Sequence, residues 1–247
     1  MKDGTVAVIV FLRCPKPGQV KSRLAKTIGH DLACQVYELC AVRVLKSILS
    51  IPSQYSCFVF YSVSDEESEV KEWLDSHGCL DSVAGCHAQV QSECLGERIV
   101  DAFRHVARLG YDTIAIVGTD IPDLTVGVLQ MGIDILDRDG SGKCALLGPS
   151  IDGGFYMMIL RGSDHISVID RLSLDGIEWS TSTVYEDTCK TLAVGKFTVL
   201  NKASSGIPCL RDIDVLEDLI QWHQSLDGMR NTDTLERLVG EIISQSM

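Results

Sequence analysis

Charged residues of both signs stand where apolar runs give way to loops. The stretch "RCPKPGQVKSRLAK", residues 13–26, holds five of the chain's 22 basic side chains although the formal net charge is -12. Pro15 and Pro17 stiffen it, and Gly18 lets the backbone turn or approach a ligand closely. Lys16, Lys21 and Arg23 carry cationic ends that can converge on phosphate oxygens, the last two entering a helical turn. The stretch matches neither G-x-x-x-x-G-K-[ST] nor G-x-G-x-x-G, so it is neither a Walker loop nor a dinucleotide fingerprint. In "AIVGTDIPDL", Asp120 follows an apolar run directly and is expected to project from a strand end. One carboxylate holds a metal poorly, but magnesium or manganese commonly binds through one or two carboxylates plus substrate phosphate. A solvated loop and a turn-forming aspartate are the competing readings of these two stretches.

Three further stretches carry polar groups at element ends. In "LLGPSIDGGFYMMIL", Asp152 precedes the pair Gly153 and Gly154, which marks a tight turn or close backbone approach. In "GIEWSTSTVYEDT", Trp179 offers a stacking face, while Ser180 or Thr181 is placed to cap the following helix and leave its amides to an anion. In "LRDIDVLEDL", Asp212 and Asp214 read as ending a strand before a helix, each a candidate second metal ligand or an N-cap.

Positioning these groups requires an alternating scaffold. Residues 5–12 form an apolar run suited to a strand buried on both faces. Residues 30–49 repeat apolar residues at helical spacing, with Leu32, Val36, Leu39, Val42 and Leu45 along one stripe. Strands are expected in 56–63, 112–118, 143–148, 155–160 and 197–200, and helices in 65–78, 94–110 and 125–138. Residues 212–226 read as a strand end running into a helix, and the last twenty residues as a terminal helical tail, about 228–247. Such alternation implies one domain spanning 1–247, with a core of about 5–222 and a mostly parallel sheet covered on both faces. Ligands of such sheets sit beyond the carboxyl ends of the strands.

Composition excludes several classes. A chain of 247 residues with 45% hydrophobic content can bury one large core. The acidic balance argues against a nucleic-acid surface and suits a small anionic ligand at one basic loop. No apolar run reaches the roughly 20 residues of a membrane span. No stretch near the N-terminus has the pattern of a secretory signal, so a soluble, cytoplasmic protein is expected. The ten cysteines show no C-x-x-C spacing and read as reduced, small apolar residues.

Taken in order, "FLRCPKPGQVKSRLA", "QSECLGERIVDAF", "GTDIPDLT", "LGPSIDGGFYMMIL", "IEWSTSTVYEDT" and "LRDIDVLEDL" resemble the signature stretches of the glycosyltransferase family called selenodomain-associated transferase 1, linked to arsenosugar biosynthesis. The resemblance covers about residues 5–222. It implies the nucleotide-diphospho-sugar transferase superfamily and its single-domain three-layer α/β/α sandwich, the A-type glycosyltransferase fold. Relatives in shape are phospholactate guanylyltransferase and molybdenum cofactor guanylyltransferase. By this resemblance, residues 14–24 (Lys16, Pro17, Gly18, Lys21 and Arg23) hold nucleotide phosphates. Asp120 binds magnesium or manganese, and Asp214 or Asp212 completes the metal site. The usual Asp-x-Asp motif is replaced by "TDIPD", with Asp123 three residues beyond Asp120. Asp152 is assigned to catalysis on the acceptor or sugar side, as the base of an inverting transfer alongside Glu178. Gly153, Gly154, Trp179, Ser180 and Thr181 are assigned to substrate. The implied partners are a nucleotide or nucleotide-sugar donor and a small-molecule acceptor. The reaction is glycosyl transfer or, alternatively, nucleotidyl transfer from a triphosphate with release of pyrophosphate.

Overall fold

In a computed structural model the chain forms an α/β domain, and the structure describes residues 6–139, 143–162, 169, 172–226 and 233–246. Seven strands make one sheet: β1 (Val6–Leu12), β2 (Tyr55–Tyr61), β3 (Gly85–Ala88), β4 (Thr113–Val117), β5 (Lys143–Pro149), β6 (Phe155–Gly162) and β7 (Thr198–Leu200). They lie in the order β3-β2-β1-β4-β6-β5-β7. Every pairing is parallel except those that β6 makes with β4 and β5.

Side chains alternate between the two faces of these strands. Val6, Val8, Val10 and Leu12 of β1 face one layer, and Ala7 and Ile9 face the other. The first layer contains α2 (His30–Ile48), α3 (Glu67–Ser76) and α5 (Val126–Asp139); the second contains α4 (Leu95–Ala107) and α6 (Val184–Val194). Both faces of the central strands β1, β4, β5 and β6 are buried, so these read as apolar runs.

A third cluster lies outside the sheet. It joins α1 (Ser22–Ile28), the far face of α2, α8 (Leu216–Ser225) and α9 (Thr234–Ser246) through Leu24, Val36, Trp222 and Val239. The terminal helix therefore docks on α2 and α8. The short helix α7 (Lys202–Ser205) is capped by Asn201, whose side chain accepts from the Ala203 and Ser204 amides.

Several expectations need correction. Asp212 and Asp214 do not end a strand: residues 211–214 are irregular, and only Leu210 forms a bridge, to Ser150. Neither Ser180 nor Thr181 caps α6. Thr183 holds the N-cap position without a side-chain capping bond, and the Thr181 hydroxyl donates to the Glu178 carbonyl instead. The amides near the start of α6 are engaged as well, since Tyr185 N donates to Gly153 O at 2.8 Å. On α2 the fully buried positions include Ala33, Val36, Cys40, Ala41, Val44 and Ile48, because the helix is packed on two sides; Leu32 and Leu39 are only partly buried. Strand β3 had no expectation; it is four residues long and only half-buried.

The turn from β5 to β6 is built by Gly153. It has φ +93°, and a Cβ there would fall 2.1 Å from the Ser182 carbonyl oxygen, a backbone atom. Only glycine fits both the angle and the approach. Gly153→Ala should therefore destabilise the protein by about 3 kcal/mol or more. Thermal melting checks this, with an expected drop of roughly 6–12 °C for a chain of this size.

Candidate active site

The sheet reverses its winding between β1 and β4: the chain moves from β1 through β2 to β3 on one side, then returns through α4 to β4 on the other. The loops leaving β1 and β4 diverge there and open a crevice at the carboxyl ends of the strands.

Lys21 lies at its base. The residue precedes α1 in the left-handed conformation, φ 48° and ψ 47°. For a side chain other than glycine this costs about 1 kcal/mol. The lysine Nζ sits 3.0 Å from Asp120 Oδ2 and 2.8 Å from Asp214 Oδ1. The lysine side chain is 7% exposed, whereas the two carboxylates are 38% and 39% exposed, so the ammonium is sealed beneath groups that open to the crevice. Burial alone would lower the Lys21 pKa, but Asp120 and Asp214 outweigh it and hold the ammonium well above its ordinary value. At Asp120 burial pushes upward, and the adjacent Lys21 more than reverses it, leaving the carboxyl below its usual range. Arg23 adds a second cation, 3.5 Å from Asp214 and 64% exposed.

Three backbone ties bring these distant residues together. Ile213 N donates to the Asp120 carbonyl at 3.1 Å, and Ile151 N donates to the Leu210 carbonyl at 2.9 Å, so the 207–215 segment lies along the strand ends. Asp218 accepts from the amides of Asp214 and Val215, fixing the start of α8 beside Asp214. Across the crevice the buried Tyr37 hydroxyl accepts from Arg13 N at 2.9 Å and lies 3.2 Å from Thr119 Oγ1, joining the two loops.

The other expected residues divide. Lys16 turns to the start of α3, where it pairs with Glu66 at 2.8 Å and with Glu69. Pro17 and Gly18 form the exposed turn between Lys16 and Lys21, with Gly18 at φ +82°. Asp123 leaves the site and accepts the Trp222 indole N–H at 2.9 Å, which rules out a spaced carboxylate pair with Asp120. Asp152 is exposed; its Oδ1 accepts from Ser150 Oγ and from Gly154 N. Trp179 packs edge-on to Phe155 and against Gly96, while Glu178, Ser180 and Thr181 lie on the loop before α6.

Two cavities meet at this point. One, about 270 Å³, is lined by Lys21, Ser22, Arg23, Asp120 and Asp214. The other, about 250 Å³, has apolar walls from Phe11, Leu95, Ile99 and Phe155 and also includes Gln89 and Arg98. Arg13, Tyr37 and Asp120 belong to both. Tyr37, Gln89 and Arg98 gave no signal as sequence, since a tyrosine and an arginine on helices and a glutamine after an edge strand are ordinary there. Arg13 stood in the basic stretch but matched no role.

The donor set suits a hard divalent cation. Asp212 is pushed up to about 6 by burial and then by Asp152, Asp120 and Asp214. The last three causes are the negative charges of neighbouring carboxylates. Among the described residues no three His, Cys, Asp or Glu side chains form a group that encloses a metal alone. The residues thus fit an ion that arrives with phosphate oxygens.

Asp212 also sets a pH dependence. Between its ordinary 3.8 and about 6 the folded state holds a proton that the unfolded state releases, so this group's contribution to stability falls as pH rises through that window. Asp212→Asn should leave the melting temperature almost unchanged at the acidic end and raise it above pH 6, as read from melts across a pH series without added ions.

Comparison with known proteins gives a consistent picture. The solved structure of a "putative nucleotide-diphospho-sugar transferase" from Desulfovibrio desulfuricans G20 superposes with a TM-score of 0.79 at 24% identity, covering 99% of each chain. A cytidylyltransferase from Leptospira borgpetersenii serovar Hardjo-bovis gives 0.53 at 13% identity, covering 98% of this chain and 94% of its own. The 4-diphosphocytidyl-2C-methyl-D-erythritol synthase of Anaerococcus prevotii DSM 20548 gives 0.53 at 8%, covering 88% and 94%. These likenesses establish a shared fold. No curated protein sequence matches the chain. The model of DUF2064, described as an uncharacterized protein conserved in bacteria, matches residues 53–181, more than half of the chain, and the protein belongs to that family.

Proposed function

We propose that the protein is a metal-dependent transferase that moves a glycosyl group from a nucleoside diphosphate sugar to a small acceptor. One observation carries the reading: a cation-bearing cavity and an apolar cavity share a wall that includes Asp120. A nucleotide has the same two halves, a charged phosphate chain and a flat base, joined at a fixed distance. The fold shared with a nucleotide-diphospho-sugar transferase and with cytidylyltransferases supports it.

Lys21 and Arg23 would bind and orient the diphosphate, with Arg13 at the join between the two cavities. A magnesium or manganese ion held by Asp120, with Asp214 or Asp212, would neutralise charge on the departing diphosphate. Positioning then carries much of the remaining rate enhancement. Asp152 would take the acceptor's hydroxyl proton on Oδ2, since Oδ1 is engaged by Ser150 and Gly154.

That same engagement favours a second reading, nucleotidyl transfer from a triphosphate. A phosphorylated acceptor attacks as an anion and needs no base, so a carboxylate tied into a turn suffices. Release of pyrophosphate from a nucleoside triphosphate separates the two.

The first test is a thermal-shift series with manganese and diphosphate sugars. A ligand present at a hundred times its Kd should stabilise the wild type by about 2.7 kcal/mol. Asp120→Asn and Lys21→Met should each lose most of that shift, while Arg108→Ala, on the far end of α4, keeps it. Stabilisation that is independent of metal, or full turnover in Asp120→Asn, would sink the metal assignment.

A further inference from the structure

The Lys21 ammonium fills the gap between the two carboxylates that open to the crevice. Its Nζ lies 3.0 Å from Asp120 Oδ2 and 2.8 Å from Asp214 Oδ1. Asp214 Oδ2 faces Arg23 at 3.5 Å, so three of the four carboxylate oxygens already meet a cation of the protein itself. The charges of these four side chains cancel without any ion.

A divalent ion bonded to both carboxylates therefore has two choices. It takes the oxygens that the ammonium holds, and so displaces Lys21, or it uses the remaining oxygens and shares the carboxylate pair with the ammonium. In the second case two positive charges lie close together in a partly buried place, and their repulsion weakens the ion's hold. Either way Lys21 opposes an ion that arrives alone.

Phosphate reverses the balance. Lys21, Ser22 and Arg23 line the same 270 Å³ cavity as Asp120 and Asp214. An ammonium has three N–H donors, and the carboxylates engage two of them, which leaves the third for a phosphate oxygen in this cavity. Lysine also carries its charge on a flexible four-carbon stem. Once phosphate oxygens share the ammonium, their negative charge offsets it, and both carboxylates can turn to the ion.

We propose that Lys21 is a built-in counter-ion that keeps the carboxylate pair from a lone divalent ion and gives it up when a diphosphate arrives, so that ion and diphosphate bind cooperatively. The inference rests on the nucleotide-donor reading above and gives Lys21 two effects of opposite sign: it weakens binding of the ion alone and strengthens binding of the ion with diphosphate. Coupling of this kind is reciprocal, so each ligand tightens the other by the same factor.

Electron paramagnetic resonance, which reads free manganese, and calorimetric titration of preformed manganese pyrophosphate test it in the wild type, Lys21→Met, Lys21→Gly and Arg23→Gln. Lys21→Gly suits the left-handed backbone at this position, φ 48° and ψ 47°, and serves should Lys21→Met fail to fold. Without Lys21, manganese alone should bind at least about tenfold more tightly than to the wild type, and manganese pyrophosphate at least about tenfold more weakly. Arg23→Gln removes a cation that is 64% exposed, and should change the affinity for manganese alone by less than about threefold. Manganese alone bound equally with and without Lys21, or bound by the wild type as tightly alone as with pyrophosphate, overturns the inference. Weaker binding of both probes would make Lys21 a structural tie, and an equal gain in Arg23→Gln would make the effect one of net charge; each also overturns it. In all these cases the donor reading stands as long as the wild type binds manganese pyrophosphate; if the wild type binds neither probe, the donor reading fails with the inference.

Discussion

A buried ammonium held by two carboxylates organises the crevice. Lys21, Asp120 and Asp214 are separated by 99 and 193 positions in the chain, and each arrives from a different part of the fold. Removing any one charge would strand the others in a partly desolvated place, a far larger penalty than losing a surface ion pair. The left-handed backbone at Lys21 belongs to the same arrangement. A residue that caps nothing and sits in a strained conformation is held there by what its side chain reaches.

The sheet supplies the place and the loops supply the chemistry. Parallel strands point their carboxyl ends one way, and the reversal between β1 and β4 opens the loops that follow them. Tyr37 stitches those loops from beneath, with its hydroxyl between the backbone of Arg13 and the side chain of Thr119. The Gly153 turn does the equivalent on the far side: its carbonyl holds the start of α6, and the charge of its neighbour Asp152 helps to push Asp212 upward.

Much of this was legible in the sequence where local pattern and final environment agree. The apolar runs of β1, β4, β5 and β6 announced buried strands; Asp120 stood out because a charge just after such a run has few places to go, and Lys21 because it belongs to a cluster of basic residues in an acidic chain. The remainder depends on tertiary contacts that no local pattern encodes. Residues 211–214 read as a strand end that runs into a helix, yet their backbone bonds go to the Asp120 carbonyl and to the α8 cap rather than to a ladder. The stripe expected on α2 captured only part of its buried surface, because that helix is buried on two sides: Val36 and Leu45 are fully buried, Leu32 and Leu39 only partly. Lys16 and Lys21 look alike as sequence, and only the position of Glu66 on the way into α3 separates them. Gln89 stood unnoticed because β3 is too short and too polar to register as a strand.

The third cluster gives the site a second foundation. Asp120 is mounted on the sheet, whereas Lys21 and Asp214 are mounted on α1 and α8, which pack with α2 and α9 in a separate apolar body. The indole of Trp222, donating to Asp123, joins these two bodies three residues beyond Asp120. The C-terminal helices thus act as a buttress: together with the bond from Ile213 N to the Asp120 carbonyl, their seating sets the spacing between Asp120 and Asp214, and with it the width of the crevice at that point.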